Sequence, residues 1–394
     1  VFSSTIICLM LFITICFLSS CLSIKNSLTG NINELSPVEV EFTKLRNIKD
    51  ENLKDYNFED KALLDTKVSI KETLKNNNID INNFKDNLTV YYYNTNLTLR
   101  DALGKSASTT EKTFPFIHFD EQEQVMSISD YNKVAKLYGN KTYTLKENEY
   151  IVIADYNSMI NIRNVALKDK ESININGINL VPKYTECKYG FVDIGAQHLN
   201  IGIIVVPDNV LKENTISNEI LLANFNSKNK NEKIKINNEL ANLEETHYKT
   251  HVLSYNTKLD MLESSIGLGA LVTFIGLYLG IIFLISSAAI LALKELSEST
   301  DNKERYKMIR KLGADEKMIN KALFNQIFIF FMIPLSLAIV HSIFGIKFAK
   351  KILGTMGISG LTSSITMTFI FLVLIYGGYF LLTYFASKNI IRER

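Results

Sequence analysis

The chain of 394 residues lacks tryptophan and contains only 5 prolines and 4 cysteines. Cys8, Cys16 and Cys21 lie in the first apolar run, so the large polar region holds Cys187 alone and no disulfide framework is available to it. The formal net charge is only +2. A nearly neutral chain lacks the strongly basic balance that attracts polyanions, so no nucleic-acid partner is expected.

Charged residues are also missing from four long stretches, 1–24, 265–293, 324–346 and 363–386, which contain no Asp, Glu, Lys or Arg. At about 1.5 Å per helical residue, each stretch is long enough to cross a hydrocarbon core of about 30 Å. The sequence therefore predicts four transmembrane helices. Ion-coupled transporters usually need ionisable groups inside their spans, so we expect the energy source to lie elsewhere.

The first apolar run begins at Val1 with no basic segment before it, and its end, "FLSSC", is similar to a lipoprotein cleavage box. Because three further spans follow, we interpret this run as a membrane span and not as the start of a lipid-anchored protein. We expect the numbering to begin partway through a longer polypeptide.

The polar region 25–264 predicts an extracellular α+β domain, because helical and alternating patterns are mixed along it. Strands are predicted at 38–42, 87–96 and 201–206, the last stopped by Pro207, and helices at 60–76 and 129–140. "SININGINLV" predicts a hairpin turning at Asn176-Gly177. A stalk helix is predicted over 236–264, running into the second span. The predicted fold class is an integral membrane α-helical protein with four transmembrane helices and a large α+β extracellular domain.

Basic residues in the short loops predict the orientation. They are denser in 294–323 and in the tail 387–394 than in the loop 347–362, so the first two segments are expected in the cytoplasm. The loop 347–362 and the domain 25–264 are then outside. The basic residues of 294–323 and the tail are Lys294, Lys303, Arg305, Lys307, Arg310, Lys311, Lys317, Lys321, Lys388, Arg392 and Arg394, against Lys347, Lys350 and Lys351 in the loop.

The charged segment between the second and third spans predicts a short amphipathic helix. Asp301 can cap a helix with Glu304 at its third position, Gly313 can end it, and Asp315 can cap the next helix. Physics alone leaves two interpretations open: a handle for a cytoplasmic protein, or a charged loop on lipid headgroups. The apolar residues predicted to share one face are Tyr306, Ile309 and Leu312.

Four stretches of the chain carry a family resemblance: "LKELSESTDNKERYKMIRKLGAD" with "INKALFNQ", "SISDYNKVAKLYGNKTYTLKENEYIV", "IIVVPDNVL" and "TKLDMLESSIGLGALVTFIGLYLGIIFLI". They resemble the FtsX-like ABC permeases, most closely the bacitracin-resistance (Bce-type) subfamily. Such permeases have ten spans, with a large outer domain between the seventh and the eighth. The resemblance implies that this chain is the C-terminal part, with the last four spans, in a bacterial cell membrane.

The resemblance implies a permease subunit that senses and resists bacitracin-like antimicrobial peptides. It implies an ABC ATPase dimer as partner, with ATP bound there, so neither a cofactor nor an enzyme activity is expected on this chain. The family commonly also pairs with a sensor histidine kinase. The outer domain is expected to engage a cell-wall-active peptide or its lipid-bound complex, and the spans to contact membrane lipids.

The resemblance also implies that the ATPase docks on the segment between the second and third spans. The residues expected at this coupling contact are Glu298, Asp301, Glu304, Arg305, Tyr306, Ile309, Gly313 and Asp315. Gly276 and Gly280, four residues apart in the second span, are typical of a close helix packing face.

Three alternatives stay open. A macrolide-exporter-type permease would have only four spans and convert ATPase motion into movement of the outer domain. A receptor scaffold would signal without transport. A membrane-anchored hydrolase would use His247 and His251, whose spacing of four lets both bind one metal, although no third ligand is evident.

Overall fold

The computed structural model describes residues 2–47, 66–247, 252–355, 358 and 361–392. The chain divides into two compact units. The helical unit comprises Val1–Leu28, Ile266–Gly354 and Ile358–Arg394, and the outer unit comprises Thr29–Ser265 with Thr355–Gly357. Residues 60–65 of the helix predicted at 60–76 and His251 lie outside the described residues, as does the side chain of His247.

The helices and strands are numbered in chain order. The helices are α1 (Phe2–Leu35), α2 (Ile70–Asn76), α3 (Leu99–Leu103), α4 (Ala107–Thr113), α5 (Ile128–Tyr138), α6 (Asn157–Lys168), α7 (Lys230–His247), α8 (Lys258–Asp301), α9 (Lys303–Lys311), α10 (Glu316–Thr355) and α11 (Leu361–Ile391). The strands are β1 (Val40–Leu45), β2 (Phe84–Tyr93), β3 (Gln124–Ser127), β4 (Glu149–Ile153), β5 (Ile173–Ile175), β6 (Ile178–Pro182), β7 (Ile203–Val206), β8 (Ile216–Phe225) and β9 (Leu253–Thr257).

The outer unit is built on one nine-stranded sheet with the order β5-β6-β4-β7-β3-β2-β8-β1-β9. β3 and β7 pair in parallel, as do β4 and β6, and the other neighbours are antiparallel. Helices α2 to α7 lie in the connections between strands, which makes the unit an α+β domain. Its interior is apolar on both faces of the sheet, with Val205 and Ile220 in one buried cluster and Ile204 and Val206 in another.

The predicted hairpin is confirmed. Asn176 and Gly177 have φ of 53° and 79°, the two positive values that a type I′ turn needs, and β5 pairs with β6 from Ile173–Leu180 to Ile175–Ile178. The strand predicted before Pro207 is also confirmed, because every residue of β7 is buried and proline directly follows it.

The stalk helix predicted over 236–264 is wrong. Helix α7 ends at His247, and Leu253–Thr257 forms the edge strand β9 before α8 begins at Lys258. Tyr255 of β9 stands opposite Phe42 of β1 in an antiparallel ladder. These five residues have no strong local preference against a helix, so pairing with β1 and the burial of Leu253 decide their conformation.

Two helix starts differ from their predictions because serine caps lie elsewhere. In the described part of 60–76 the helix begins only at Ile70, where Ser69 Oγ accepts from the Glu72 amide. The helix predicted to begin at Ser129 begins at Ile128, and Ser127 is its cap. Its predicted end is confirmed, since Gly139 has a φ of 71° after its last turn.

Within the described residues, four helices are long and apolar enough to cross a membrane, namely α1, α8, α10 and α11, and most of each lies in the helical unit. Inside this unit Leu11, Leu284 and Phe331 are fully buried in one apolar cluster. The hydroxyl of Tyr376 donates to the carbonyl of Phe331 at 2.9 Å and joins α11 to α10. The predicted fold class of four membrane helices with an α+β domain is confirmed.

Candidate functional site

The short helix α9 follows α8 after the single residue Asn302. The predicted capping role of Asp301 is wrong: Asp301 is the last residue of α8, and Asn302 is at the cap position without a side-chain cap bond. Asn302 has φ −85° and ψ 0°, so the chain stays nearly helical there. The amide of Tyr306 donates to the Asn302 carbonyl at 3.1 Å, which is the first hydrogen bond of α9.

The end of α9 is fixed by the residues that the sequence analysis selected. Gly313 has a φ of +97°, where a residue with a Cβ would be strained, and its amide donates to the Arg310 carbonyl at 3.0 Å. Asp315 Oδ1 accepts from the Met318 amide at 2.6 Å and caps α10. Arg310 Nε donates to Glu316 Oε1 at 2.6 Å, so an ion pair bridges the turn.

The apolar residues of α9 point in two directions. Tyr306 packs against the apolar cluster of the helical unit, whereas Ile309 is exposed and Leu312, just after α9, is 87% exposed. Met308 is exposed as well, beside charged side chains. The exposed side of α9 therefore carries large apolar side chains beside charged side chains of both signs. The predicted charged residues on this surface, all exposed, are Glu298, Asp301, Glu304 and Arg305.

A hydrogen-bonded trio that the sequence analysis missed lies behind α9. The Tyr306 hydroxyl donates to Gln326 Oε1 at 3.3 Å, and Gln326 Nε2 donates to Glu295 Oε1 at 2.8 Å. A signal for Glu295 was present in the sequence. Glu295 follows the buried Ala288 and Leu291 at helical spacing, so it continues their inward face.

The two glycines of α8 lie against α1. A Cβ at Gly276 would lie 2.5 Å from the Cβ of Cys21, whereas a Cβ at Gly280 would make an ordinary contact of 3.5 Å with Leu18. Gly276 is therefore at the point where the α8 backbone approaches α1 too closely for any side chain.

The outer unit contains a cavity of about 600 Å³ beside the irregular segment 191–202. Leu199 and Ile201 at its edge are 59% and 50% exposed, so apolar side chains face the solvent there. Apolar and acidic side chains therefore meet in one concave site. Its apolar residues are Leu35, Phe191, Val192, Ile194, Leu199 and Ile201, and its acidic residues are Glu121, Glu123, Asp155 and Asp193.

Buried polar groups hold the segment 191–202 in place. The amide of Ile194 donates to Glu41 Oε2 at 2.5 Å, and the Asn200 amide donates to Asp155 Oδ1 at 2.7 Å. Arg163 Nε donates to the carbonyl of Ile201 at 2.7 Å. Arg163 is itself fixed by two hydrogen bonds of 2.8 Å to the Glu123 carboxylate. The cavity is therefore preformed.

Glu41, which contacts the segment 191–202, and His198, which lies in it, have shifted pKa values. Burial, with the negative charge of Asp193 nearby, raises the pKa of Glu41 to about 8, although a hydrogen bond from the Ile194 amide opposes this. A hydrogen bond to Asp155 Oδ2 raises the pKa of His198 above its ordinary value, and partial burial opposes it. Within residues 2–47, 66–247, 252–355, 358 and 361–392, no group of three or more His, Cys, Asp and Glu side chains could hold a metal ion.

The relatives found by comparison with known proteins are all permeases. No family model matches the chain. The chain is similar to the ABC transporter permease protein YxdM of Bacillus subtilis, with 22% identity over 271 residues that cover 68% of this chain and 41% of the relative. It is also similar to the bacitracin export permease protein BceB of Bacillus subtilis, with 35% identity over 91 residues, 23% of this chain and 14% of the relative. For BceB of Halalkalibacterium halodurans the identity is 28% over 149 residues, 38% of this chain and 22% of the relative.

The homologues of this chain are therefore ABC transporter permeases. The matches cover at most about two fifths of the length of these curated relatives, and the largest share is 43%. Together with the four apolar helices, they make the chain a multi-pass membrane protein with a soluble extracellular domain.

Proposed function

We propose that the chain is the C-terminal part of a permease subunit in a bacterial ABC system that senses and resists antimicrobial peptides. The observation that carries the proposal is the joint presence of a similarity to bacitracin export permeases and an exposed amphipathic helix, α9, between two membrane helices. In this proposal the permease has no nucleotide site of its own on this chain. ATP is bound by a separate ABC ATPase dimer.

The ATPase docks on the exposed side of α9. Ile309 and Leu312 offer apolar area, while Glu298, Glu304 and Arg305 surround it with both charge signs. Charge of both signs favours a protein surface over a uniformly anionic lipid surface, which would select basic residues alone. Closure of the ATPase dimer pushes α9 and so moves α8 and α10.

The outer domain engages a cell-wall-active peptide, free or bound to its lipid. The cavity beside residues 191–202 supports this role, because exposed Leu199 and Ile201 can contact apolar side chains while the exposed carboxylate of Glu121 favours cationic groups. A cationic amphipathic peptide satisfies both features. A sensor histidine kinase completes the assembly, as the resemblance implies.

The test is a pull-down from the native membrane with the full-length gene product, scored for an ATPase and for a kinase. Recovery of an ABC ATPase supports the permease role, and its absence contradicts it. A second candidate, a receptor scaffold that signals without transport, predicts recovery of the kinase together with no peptide movement or release in reconstituted vesicles.

A further inference from the structure

We infer that Gln326 is a positioning residue, whose side-chain amide fixes α9 against both neighbouring membrane helices so that force applied to α9 reaches α8 and α10 together. The inference rests on the proposed function, since it concerns how docking of an ATPase is converted into movement of the spans. It concerns a residue that touches neither nucleotide nor peptide.

The length of α9 makes such an anchor necessary. A helix of only nine residues, Lys303–Lys311, is not stable by itself in water, so its position depends on contacts with the rest of the unit. Its outer apolar residues are exposed and contribute no anchoring. The ring of Tyr306 packs against the apolar cluster of the helical unit, and two polar contacts fix the helix further: Arg310 pairs with Glu316 near its end, and the Tyr306 hydroxyl donates to Gln326 in its middle.

The chemistry of the amide explains why glutamine fits this place. Gln326 accepts from the Tyr306 hydroxyl through Oε1 and donates to Glu295 through Nε2. A primary amide offers both an acceptor and a donor from one rigid group, whereas a carboxylate at position 326 could not donate to Glu295. One side chain on α10 is thereby bonded to α9 and to α8 at once.

The burial of Glu295 points to the same role. Its side chain is fully buried, and within the described residues its Oε2 has no hydrogen-bond partner. Burying a carboxyl group with half of its acceptors unsatisfied is unfavourable, and an apolar side chain would pack there at lower cost. The contact to Gln326 gives Glu295 a role in fixing the relative position of α8 and α10 that an apolar residue would not supply.

The experiment compares four variants of the full-length permease in membrane vesicles with its ATPase. Gln326→Leu removes both hydrogen bonds at similar volume. Asn325→Leu is the matched control, because it makes the same change one residue earlier on α10, at an exposed side chain. Gln326→Glu sets two carboxylates against each other, and adding Glu295→Gln restores a donor and an acceptor in exchanged places.

Two readouts are taken. The first is peptide-stimulated ATP hydrolysis at equal bound ATPase. We expect Gln326→Leu to lower it at least about fivefold, since each of the two lost hydrogen bonds accounts for about that factor, and Asn325→Leu to leave it unchanged. Gln326→Glu should lower it at least as much, and the exchanged double variant should recover to within about twofold of wild type. The second readout is the mobility of a spin label at Glu304→Cys, after replacement of the native cysteines. It should rise in Gln326→Leu and return in the double variant.

The outcomes separate the two claims. If no ATPase accompanies the wild-type permease, the proposed function is overturned, and label mobility still decides the positioning role. Unchanged label mobility in Gln326→Leu, or a double variant no better than Gln326→Glu alone, would overturn the inference. A loss confined to Gln326→Leu and Gln326→Glu with recovery in the double variant would establish it.

Discussion

Gly276 of α8 and Cys21 of α1 approach so closely that a Cβ at position 276 would lie 2.5 Å from the Cβ of Cys21. No pair of side-chain carbons tolerates that separation, so the two helices meet at this point only because residue 276 is glycine. The helix contact fixes α1 beside α8, the helix that leads into α9.

Gly276→Ala should therefore destabilise the permease, by about 1–3 kcal/mol, because it forces the helices apart. Gly280→Ala is the control, since its new Cβ would lie 3.5 Å from Leu18, an ordinary contact. The measurement is the melting temperature in detergent. Equal melting temperatures for the two variants would contradict the close contact.

If the ATPase docks on the exposed side of α9, changes to residues of α9 should weaken ATPase binding and leave the membrane fold intact. Tyr306→Ala combined with Arg305→Glu removes the inward anchor of α9 and reverses a charge on its outer side. We expect co-purification of the ATPase to fall at least about tenfold, as for a contact residue at the centre of an interface.

The control for this double variant is Phe348→Ala with Lys350→Glu, which makes the same kinds of change at two exposed residues near the other end of α10. Insertion is measured as the amount of protein that remains in the membrane after carbonate washing, and should be equal in both variants. Normal co-purification of the ATPase with the Tyr306→Ala and Arg305→Glu double variant would contradict the proposal that the ATPase docks on α9.

The buried Glu41 predicts a pH-dependent outer domain. Its pKa is about 8 in the folded chain against an ordinary value of 4.5, so between these values the folded form holds a proton that the unfolded chain has released. Stability should thus be fully present below pH 4.5 and fall as pH rises towards 8, by at most about 1.4 kcal/mol per pH unit from this group. The raised pKa of His198 acts in the same direction.

Glu41→Gln keeps the shape and removes this titration, so its stability should depend less steeply on pH than that of the wild type. Unfolding is followed by near-ultraviolet circular dichroism of the tyrosines, since the chain has no tryptophan. Equal slopes for both proteins between pH 5 and 8 would show that Glu41 is ionised throughout.

The cavity predicts a loss of peptide response without a loss of stability. Leu199→Asp with Ile201→Asp replaces two exposed apolar residues at its edge, so unfolding should change by less than about 1 kcal/mol. The peptide concentration needed for half-maximal ATPase stimulation should rise about tenfold or more. Phe116→Asp is the control, because Phe116 is 75% exposed and does not line the cavity. An equal peptide response of the wild type, the Leu199→Asp and Ile201→Asp double variant and Phe116→Asp would exclude this cavity as the peptide site.

Local signals in the sequence were sufficient where the structure is decided locally. The Asn176-Gly177 turn, the end of β7 at Pro207 and the positive φ of Gly313 each depend on the backbone preferences of one or two residues. The long apolar runs were equally sufficient, because a membrane span requires only length and the absence of charge.

The predictions from sequence were wrong where the conformation of a segment depends on pairing with a distant strand or on a neighbouring helix. Residues 253–257 form a strand because β1 is available to pair with them, which their own sequence does not reveal. Asp301 is not a cap because α8 continues through it, and the amide of the next residue, Asn302, still donates to the Glu298 carbonyl. The cavity beside residues 191–202 brings together β3, Asp155 and an irregular segment, and no spacing along the chain indicates that meeting.

The most direct test of the whole account is the side of the membrane on which α9 lies. A membrane-impermeant maleimide is applied to intact bacteria that carry a single cysteine, at Lys303→Cys in α9 or at Phe116→Cys in the outer domain, both exposed positions. The account predicts that Phe116→Cys is labelled and that Lys303→Cys is labelled only after the cells are opened. Labelling of Lys303→Cys in intact cells would contradict it.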